Sequence, residues 1–334
     1  MTSVLVTGAT GFVGSHILEA LRHAPVATIA ACRDPSRLPA WFASEVRPGD
    51  LRDDRYADRL PSGADVVCHA AGWSSLHGNR RNAQERFLAP TLRLLDAVGR
   101  QGAARFVFPS THGAARPGGG QDARAPGRAP AFWPHLEAVV AIEDEMRRRA
   151  SETLTMISLR LGAFVGRNYS LGLLPILLPR LKTHLVPWVA GGRTPMPLIA
   201  GEDVGQAFAR AALEPTLKGY EAFNVFGSEI PTVREVIAFL HDEYGTPLPH
   251  FGVPFAIAYP FAWAMEALDP LVPWDPLITR SIIHLLRDFG GDNAEASARL
   301  GYRPAVDWRS AVRAQIEEMK VRQVQPMPMR HPLD

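Results

Sequence analysis

The stretch Gly8-Ala9-Thr10-Gly11-Phe12-Val13-Gly14 constrains this chain more than any other. It follows a short apolar run, Ser3-Val4-Leu5-Val6-Thr7, that reads as a buried parallel strand. It precedes helical spacing in which Val13, Ile17, Leu18 and Leu21 share a face. Strand, glycine turn and helix in that order put a helix N-terminus at the strand end, where free amides and the helix dipole favour an anion. Glycine at the first position permits a tight turn, and at the second a close approach of backbone to a pyrophosphate. At the third it permits close packing of helix on strand. The pattern predicts a dinucleotide cradle made by Gly8, Thr10, Gly11, Phe12, Val13 and Gly14.

Beyond the cradle, strand and helix signals alternate. Strands are expected at residues 28–32, around Val46, and at 65–69, 105–109 and 154–161, with helices at 82–98 and 133–150. Alternation with short connections indicates an α/β fold, a Rossmann-type doubly wound parallel sheet. Residues Gly113 to Pro130, rich in Gly, Pro and Arg, read as a mobile surface loop. After Gly166 prolines multiply and boundaries loosen. Thr232-Val233-Arg234-Glu235 is a capping box opening a helix to about Glu243, and further helices fit 293–300 and 308–319. The expected organisation is a dinucleotide-binding domain over 1–166 and a smaller, mostly helical substrate-binding region over 167–320. That region makes excursions back to the first domain, and a disordered tail covers 321–334.

Composition narrows the classes. With 46% hydrophobic and 21% charged residues in 334, the chain can bury a sizeable core. A net charge of +2, without a basic run, argues against nucleic acid as a partner. The most apolar stretch, Phe251 to Met265, carries Pro254 and Pro260 and falls short of the ~20 apolar residues a spanning helix needs. Met1-Thr2-Ser3 leads straight into a strand, so no leader and a cytoplasmic location are expected. Cys32 and Cys68 are placed on strands flanking the first one, roughly 10 Å apart. That is too far for a disulfide, which points to free thiols and a reducing compartment. No metal site is expected.

Further motifs follow in order: Gly49-Asp50-Leu51, His69-Ala70-Ala71-Gly72, Phe106-Val107-Phe108-Pro109-Ser110-Thr111, and Leu159-Arg160-Leu161-Gly162-Ala163-Phe164-Val165-Gly166. Weaker landmarks are Glu202-Asp203-Val204, Phe223-Asn224-Val225 and Leu300-Gly301-Tyr302-Arg303-Pro304. With the GxxGxxG spacing, this series resembles the extended short-chain dehydrogenase/reductase family, the group of NAD(P)-dependent epimerases and dehydratases, from Ser3 to about Met319. The resemblance implies an adenine contact at Asp50 and Leu51 and a loop beside the cofactor at Ala70, Ala71 and Gly72. It implies active-site hydroxyls at Ser110 and Thr111, a strand passing the nicotinamide at Leu161, and a possible homodimer through the fourth and fifth helices. NAD-dependent members place an acid at the end of the second strand. Here Cys32 stands there, followed by Arg33 and Asp34-Pro35-Ser36-Arg37. A guanidinium in place of the acid suits a 2′-phosphate, so NADP is the expected cofactor, read by Arg33. Asp34 bending back to the ribose would instead suit NAD.

The chemistry is where the pattern breaks. The family relies on a tyrosine and a lysine four residues apart, the lysine lowering the tyrosine pKa so that it exchanges a proton near neutrality. The expected place reads Phe132-Trp133-Pro134-His135-Leu136-Glu137, with Trp133 and Glu137 in the two positions. Residues 57–168 contain no tyrosine, and Lys182, Lys218 and Lys320 all come later. The family's fourth-helix asparagine is replaced by Phe87, which implies a drier site. One reading is an oxidoreductase or epimerase with rewired acid–base groups, acting on a small, apolar carbonyl or hydroxyl substrate. Thr111 and His135 are then the catalytic candidates, with His112 and Glu137 nearby. Alternatively His135 is an exposed first-turn residue and Glu137 complements the helix dipole. The other reading is a non-catalytic NADP(H)-binding regulatory or assembly protein. Phe251 to Leu286, with Phe255, Ile257, Phe261, Trp263 and Trp274, reads as helical core, or else as an apolar lid or a patch resting on a membrane. No convincing basic cluster for a nucleotide sugar is legible, Arg180, Arg193 and Arg280 being the alternatives. Tyr169 would face the substrate cleft.

Overall fold

The computed structural model describes residues 1–168, 173–268 and 278–324; Tyr169, Trp274 and the end of the tail lie outside them. The first half runs β1 (Thr2–Thr7), α1 (Phe12–Leu21), β2 (Val26–Cys32), β3 (Val46–Pro48), α2 (Asp54–Arg59) and β4 (Val66–His69). A short α3 (Arg80–Ala83) passes through a π turn at Gln84–Leu88 into α4 (Ala89–Gln101). The turn precedes Pro90, which has no N–H to bond the carbonyl of Arg86, so the regular ladder must widen there. Then come β5 (Arg105–Thr111), α5 (Pro134–Arg149) and β6 (Thr155–Leu161). The second half comprises β7 (Ala163–Val165), α6 (Leu173–Leu181), β8 (Trp188–Val189), β9 (Leu198–Ala200), α7 (Gly201–Leu213) and β10 (Tyr220–Val225). It continues with α8 (Val233–Tyr244), β11 (Gly252–Val253), α9 (Phe255–Leu268), α10 (Arg280–Leu285), α11 (Ala294–Leu300) and α12 (Trp308–Val324).

Seven parallel strands form the central sheet in the order β10-β6-β5-β4-β1-β2-β3. The winding direction reverses between β1 and β4, and in such sheets ligands bind outside the strand carboxyl ends at that reversal. Helices cover both faces, which is why β6 is buried at every position. Val4, Val6, Ile17, Leu18 and Phe208 pack on one side; Leu5, Val67, Leu94, Phe106, Leu136 and Ile142 pack on the other. A separate cluster around Leu198, Ile237, Leu240, Trp308 and Val312 anchors the mostly helical C-terminal region. The doubly wound α/β fold expected from the sequence is the fold observed.

A buried ion pair locks α5 to the sheet. Arg160 and Glu143 are 1% and 0% exposed, joined by Nε–Oε1 at 3.1 Å and a terminal guanidinium nitrogen to Oε2 at 2.8 Å. The Ser158 hydroxyl donates to the same carboxylate (2.8 Å), and Arg160 also donates to the Ala125 carbonyl (2.9 Å).

Three expectations need correction. Gly113 to Pro130 is pinned rather than loose. The Arg128 N–H donates to the Ala114 carbonyl (2.8 Å), the Gly120 N–H to the Phe289 carbonyl (2.6 Å), and Asn224 Nδ2 to the Gly120 carbonyl (2.5 Å). In the stretch read as helical core, Ala258, Ala262 and Ile283 are buried, but α9 exposes Ile257, Phe261 and Trp263. The last helix runs to Val324, into the stretch read as tail. Cys32 and Cys68 do flank β1 as buried free thiols, and burial pushes Cys68 up to about 12, so it stays protonated. No helix among the described residues is long and apolar enough to cross a membrane.

Candidate functional site

The chain leaves β1 through Gly8 at φ +63°, in the left-handed region that favours glycine. A Cβ on Gly8 would lie 2.6 Å from the Ala71 nitrogen, so the bare residue lets the β1 and β4 loops touch at the reversal point. A side chain on Gly14 would be driven into the Gly8 carbonyl. Gly11 differs from both. It is exposed, its φ of −85° suits any residue, and a Cβ would meet only the Gly8 carbonyl oxygen, at 3.2 Å, among the described residues. The chain's own packing demands glycine there far less than at the other two positions; a close approach from outside would demand it. No side chain caps α1, which leaves the first-turn amides of Val13 and Gly14 for an anion beside half-buried Thr10. An exposed, uncapped turn of this kind fits a pyrophosphate.

Thr7, at the end of β1, organises the neighbouring loop. Its Oγ1 accepts from the N–H groups of Ala70 and Ala71 at 3.2 Å each and bonds His69 Nδ1 at 2.8 Å. His69 Nε2 in turn bonds Thr91 Oγ1 at 3.0 Å. Burial pushes His69 down to about 3, so it is a neutral strut tying β1, β4 and α4. Motif reading quoted Thr7 and His69 only as flanks. Thr91 carries no sequence signal, since nothing local announces its partner.

Where an adenosine ribose would lie, Asp34 is committed elsewhere. Its carboxylate accepts from the Ser36 N–H (3.1 Å) and Ser36 hydroxyl (2.6 Å), capping a short turn, and those bonds hold it below the usual carboxylate range. Arg33 is exposed, makes no hydrogen bond or ion pair among the described residues, and acts on Asp50 only through space. Arg37 is exposed one turn later. Asp50 grips Arg52 at 2.6 Å, which keeps it ionised, and Leu51 packs on the core beside it.

At the other end, Ser110 and Thr111 finish β5 opposite Arg160 and Leu161 of β6. Thr111 Oγ1 accepts from the Gly113 N–H at 3.2 Å, while Ser110 Oγ is buried without a hydrogen-bond partner. Gly72 faces the Phe87 ring, which a Cβ would meet at 3.5 Å. The exposed-histidine reading of His135 is corrected. Its Nδ1 is buried without a well-formed hydrogen bond, and its ring lies 5.1 Å from Phe87. Burial pushes it down to about 4 against a weaker opposing pull from the Trp73 carbonyl. Phe87 also stacks on Phe108 at 6.2 Å, so aromatic carbon occupies this corner.

The places of the tyrosine and lysine hold other arrangements. Trp133 is buried and donates its indole N–H to the Ser75 carbonyl at 2.8 Å. Glu137 is held by Arg80 at 2.6 Å, so it does more than complement a dipole. Val139, a turn past His135, is buried. His112 donates Nδ1–H to the Leu161 carbonyl (3.1 Å), and burial pushes it down to about 4. It borders a cleft of about 280 Å³ shared with Phe226, Thr232, Arg287 and Phe289. Arg287, whose Nε is buried without a partner, was not singled out by sequence reasoning. A larger groove of about 620 Å³ lies between α1 and α7, away from the strand ends. Among the described residues no cluster suited to a metal ion occurs.

A switch-point cradle on a doubly wound sheet, followed by a helical C-terminal region, defines a class of nucleotide-dependent Rossmann proteins. Within it, the chain belongs to the NAD dependent epimerase/dehydratase family, which matches residues 4–225. The resemblance to extended short-chain dehydrogenases/reductases is thereby borne out. The chain is similar to a ceramide reductase of Caulobacter vibrioides, 36% identical over 120 residues, or 34% of this chain and 36% of that protein. It is also similar to a 3 beta-hydroxysteroid dehydrogenase/Delta 5-->4-isomerase of Mycobacterium tuberculosis, 33% identical over 116 residues, 33% of this chain and 31% of that protein. The matches thus span about a third of the length of these curated relatives. Among solved structures, MoeE5 in complex with UDP-glucuronic acid and NAD shares the fold, with a TM-score of 0.68 and 20% identity over 96% of this chain and 99% of that one.

Proposed function

We propose that the chain is an NADP(H)-linked oxidoreductase that acts on a carbonyl or hydroxyl group of an apolar substrate without the tyrosine–lysine pair. The observation that carries this reading is that Ser110 Oγ, at the end of β5, and His135 Nδ1, in the first turn of α5, are buried without a well-formed hydrogen bond. Such atoms cost roughly 1–3 kcal/mol each and are kept where a ligand completes them. Bound NADP(H) would supply or accept a hydride. Gly11 and the first-turn amides would hold the pyrophosphate, Arg33 and Arg37 the 2′-phosphate, and Leu51, Ala70, Ala71 and Leu161 the walls of the slot. Ser110 and Thr111 would position the substrate oxygen. With a pKa of about 4, His135 is neutral at pH 7 and holds that oxygen as an uncharged donor. Imidazolium able to give a proton is scarce there, so reduction should quicken as pH falls toward 5.

The apolar substrate is supported by the aromatic surroundings of Phe87, Phe226 and Phe289, and by the ceramide and steroid named for the relatives. Arg280, one candidate for a nucleotide-sugar diphosphate, is already paired with Glu266 at 2.6 Å. The test is NADPH consumption with steroid ketones, long-chain ketones and UDP-sugars offered in parallel. Turnover should favour the apolar ketones, and His135→Phe should cut kcat while leaving the KM for NADPH unchanged. A non-catalytic binder is the second reading, favoured by the absence of a tyrosine and a lysine at the start of α5. NADPH binding with no turnover of any ketone would establish it.

A further inference from the structure

Helix α9 turns its one charged residue inward and its large apolar residues outward. Glu266 is buried, accepting from the Arg280 backbone N–H and from Arg280 Nε at 2.6 Å each, on the same stripe as buried Ala258 and Ala262. The outer face shows Ile257 (59% exposed), Phe261 (49%), Trp263 (57%) and Leu268 (49%), with Ala256, Pro260 and Ala267 between them and no charge. Helices on globular proteins carry their charges on the outer face. A contiguous outer face of Ile, Phe and Trp is an apolar patch that marks an interaction site.

The described segments beside the start of α9 carry charge of one sign. Pairing of Trp188 with Gly252 and Val189 with Val253 brings the segment after α6 against the entry to α9. Leu185 and Phe251 are exposed on those two segments, 59% and 48%, beside the stacked rings of His184 and His250. Residues 173–200 carry Arg180, Lys182 and Arg193 and no acid, and residues 246–265 carry no acid at all. Lys182 and Arg193 are exposed. Exposed apolar side chains that include an indole, next to segments carrying only cations, match the acyl boundary and anionic headgroups of a bilayer. A second copy fits worse, because a two-fold contact would set these cationic segments against themselves.

We propose that α9 docks the protein on an anionic lipid surface, with Ile257, Phe261 and Trp263 below the headgroups and Lys182 and Arg193 among them. The inference stands apart from the oxidoreductase reading, since neither cofactor nor substrate enters it. The test is co-sedimentation of the full chain with vesicles of phosphatidylcholine alone or mixed with phosphatidylglycerol, with tryptophan emission read in parallel. Binding to the mixed vesicles with a blue shift is expected, at least about tenfold tighter than to neutral ones and weakened by salt. The double variant Ile257→Asp/Phe261→Asp, altered only at exposed positions, should keep its thermal midpoint and lose vesicle binding at least tenfold. No binding of the wild-type chain to mixed vesicles, or equal binding by the double variant, would overturn the proposal. Self-association that the double variant abolishes, without vesicle binding, would also overturn it and assign the face to a second copy.

Discussion

Gly11 and Gly14 belong to one motif, yet their replacement by alanine should fail in different ways. In Gly14→Ala the new Cβ meets the Gly8 carbonyl carbon at 2.7 Å and the Ala9 Cα at 2.8 Å, backbone atoms that cannot rotate away. Relief requires α1 to shift against β1, at a cost of about 3 kcal/mol or more. For a chain of this size that lowers Tm by roughly 4 °C or more. In Gly11→Ala the new Cβ lies 3.2 Å from one carbonyl oxygen and φ stays at −85°, so a few tenths of an ångström suffice. Alanine is a poorer N-cap than glycine by about 1 kcal/mol, which lowers Tm by only roughly 1–2 °C. The same methyl stands over the first-turn amides, so NADPH should bind at least about tenfold more weakly, a loss of about 1.4 kcal/mol. Thermal melting and calorimetric titration on the two variants separate the effects. Gly11→Ala with NADPH affinity within about twofold of wild type would refute the assignment of that turn to the pyrophosphate.

Other consequences are as specific. Arg33→Ala should weaken NADPH much more than NADH, because only the former carries a 2′-phosphate; equal losses by calorimetry would remove the case for NADP. His69, His112 and His135 are held neutral, at about 3, 4 and 4, by burial. An unfolded chain takes up protons on these imidazoles below about pH 6.5, so stability is complete above that pH and falls as pH drops toward 4. Each costs about 1.4 kcal/mol by pH 5.5, or about 4 kcal/mol together. Urea midpoints that match at pH 8 and pH 5.5 would contradict the buried, neutral state. Arg160→Met strands the buried Glu143 carboxylate and should cost about 3–5 kcal/mol by denaturant unfolding. The double change with Glu143→Leu should recover more than half of that, and no recovery would show that the pair matters for shape rather than charge.

The sheet was legible because its signals are local. Apolar runs such as Leu154 to Leu161 and the helical face of Val13, Ile17 and Leu21 report burial within a few residues, and the glycine turn fixes its own geometry. What was missed depends on partners far along the chain. Gly113 to Pro130 looks loose in sequence, but Asn224, Phe289 and Arg160 hold it from other elements. His135 looks like a surface residue until Phe87 packs over it. Thr91 became important only through His69. Periodicity could not tell the inside of α9 from its outside, since apolar residues occupy both faces and only the Glu266–Arg280 pair reveals the direction. The loss of tyrosine and lysine was plain in the sequence. That Trp133 would bond the Ser75 carbonyl and Glu137 the Arg80 guanidinium was not, because both partners lie far back along the chain.

The central claim is that this chain keeps a nicotinamide dinucleotide site while lacking the tyrosine–lysine pair. Calorimetric titration of the cofactor-free chain with NADPH and then NADH tests it most directly. Saturable binding of NADPH, with NADH weaker by at least about tenfold, is the expected result. Absence of binding by either cofactor, even at millimolar concentration, would contradict it and leave the intact glycine turn without a ligand.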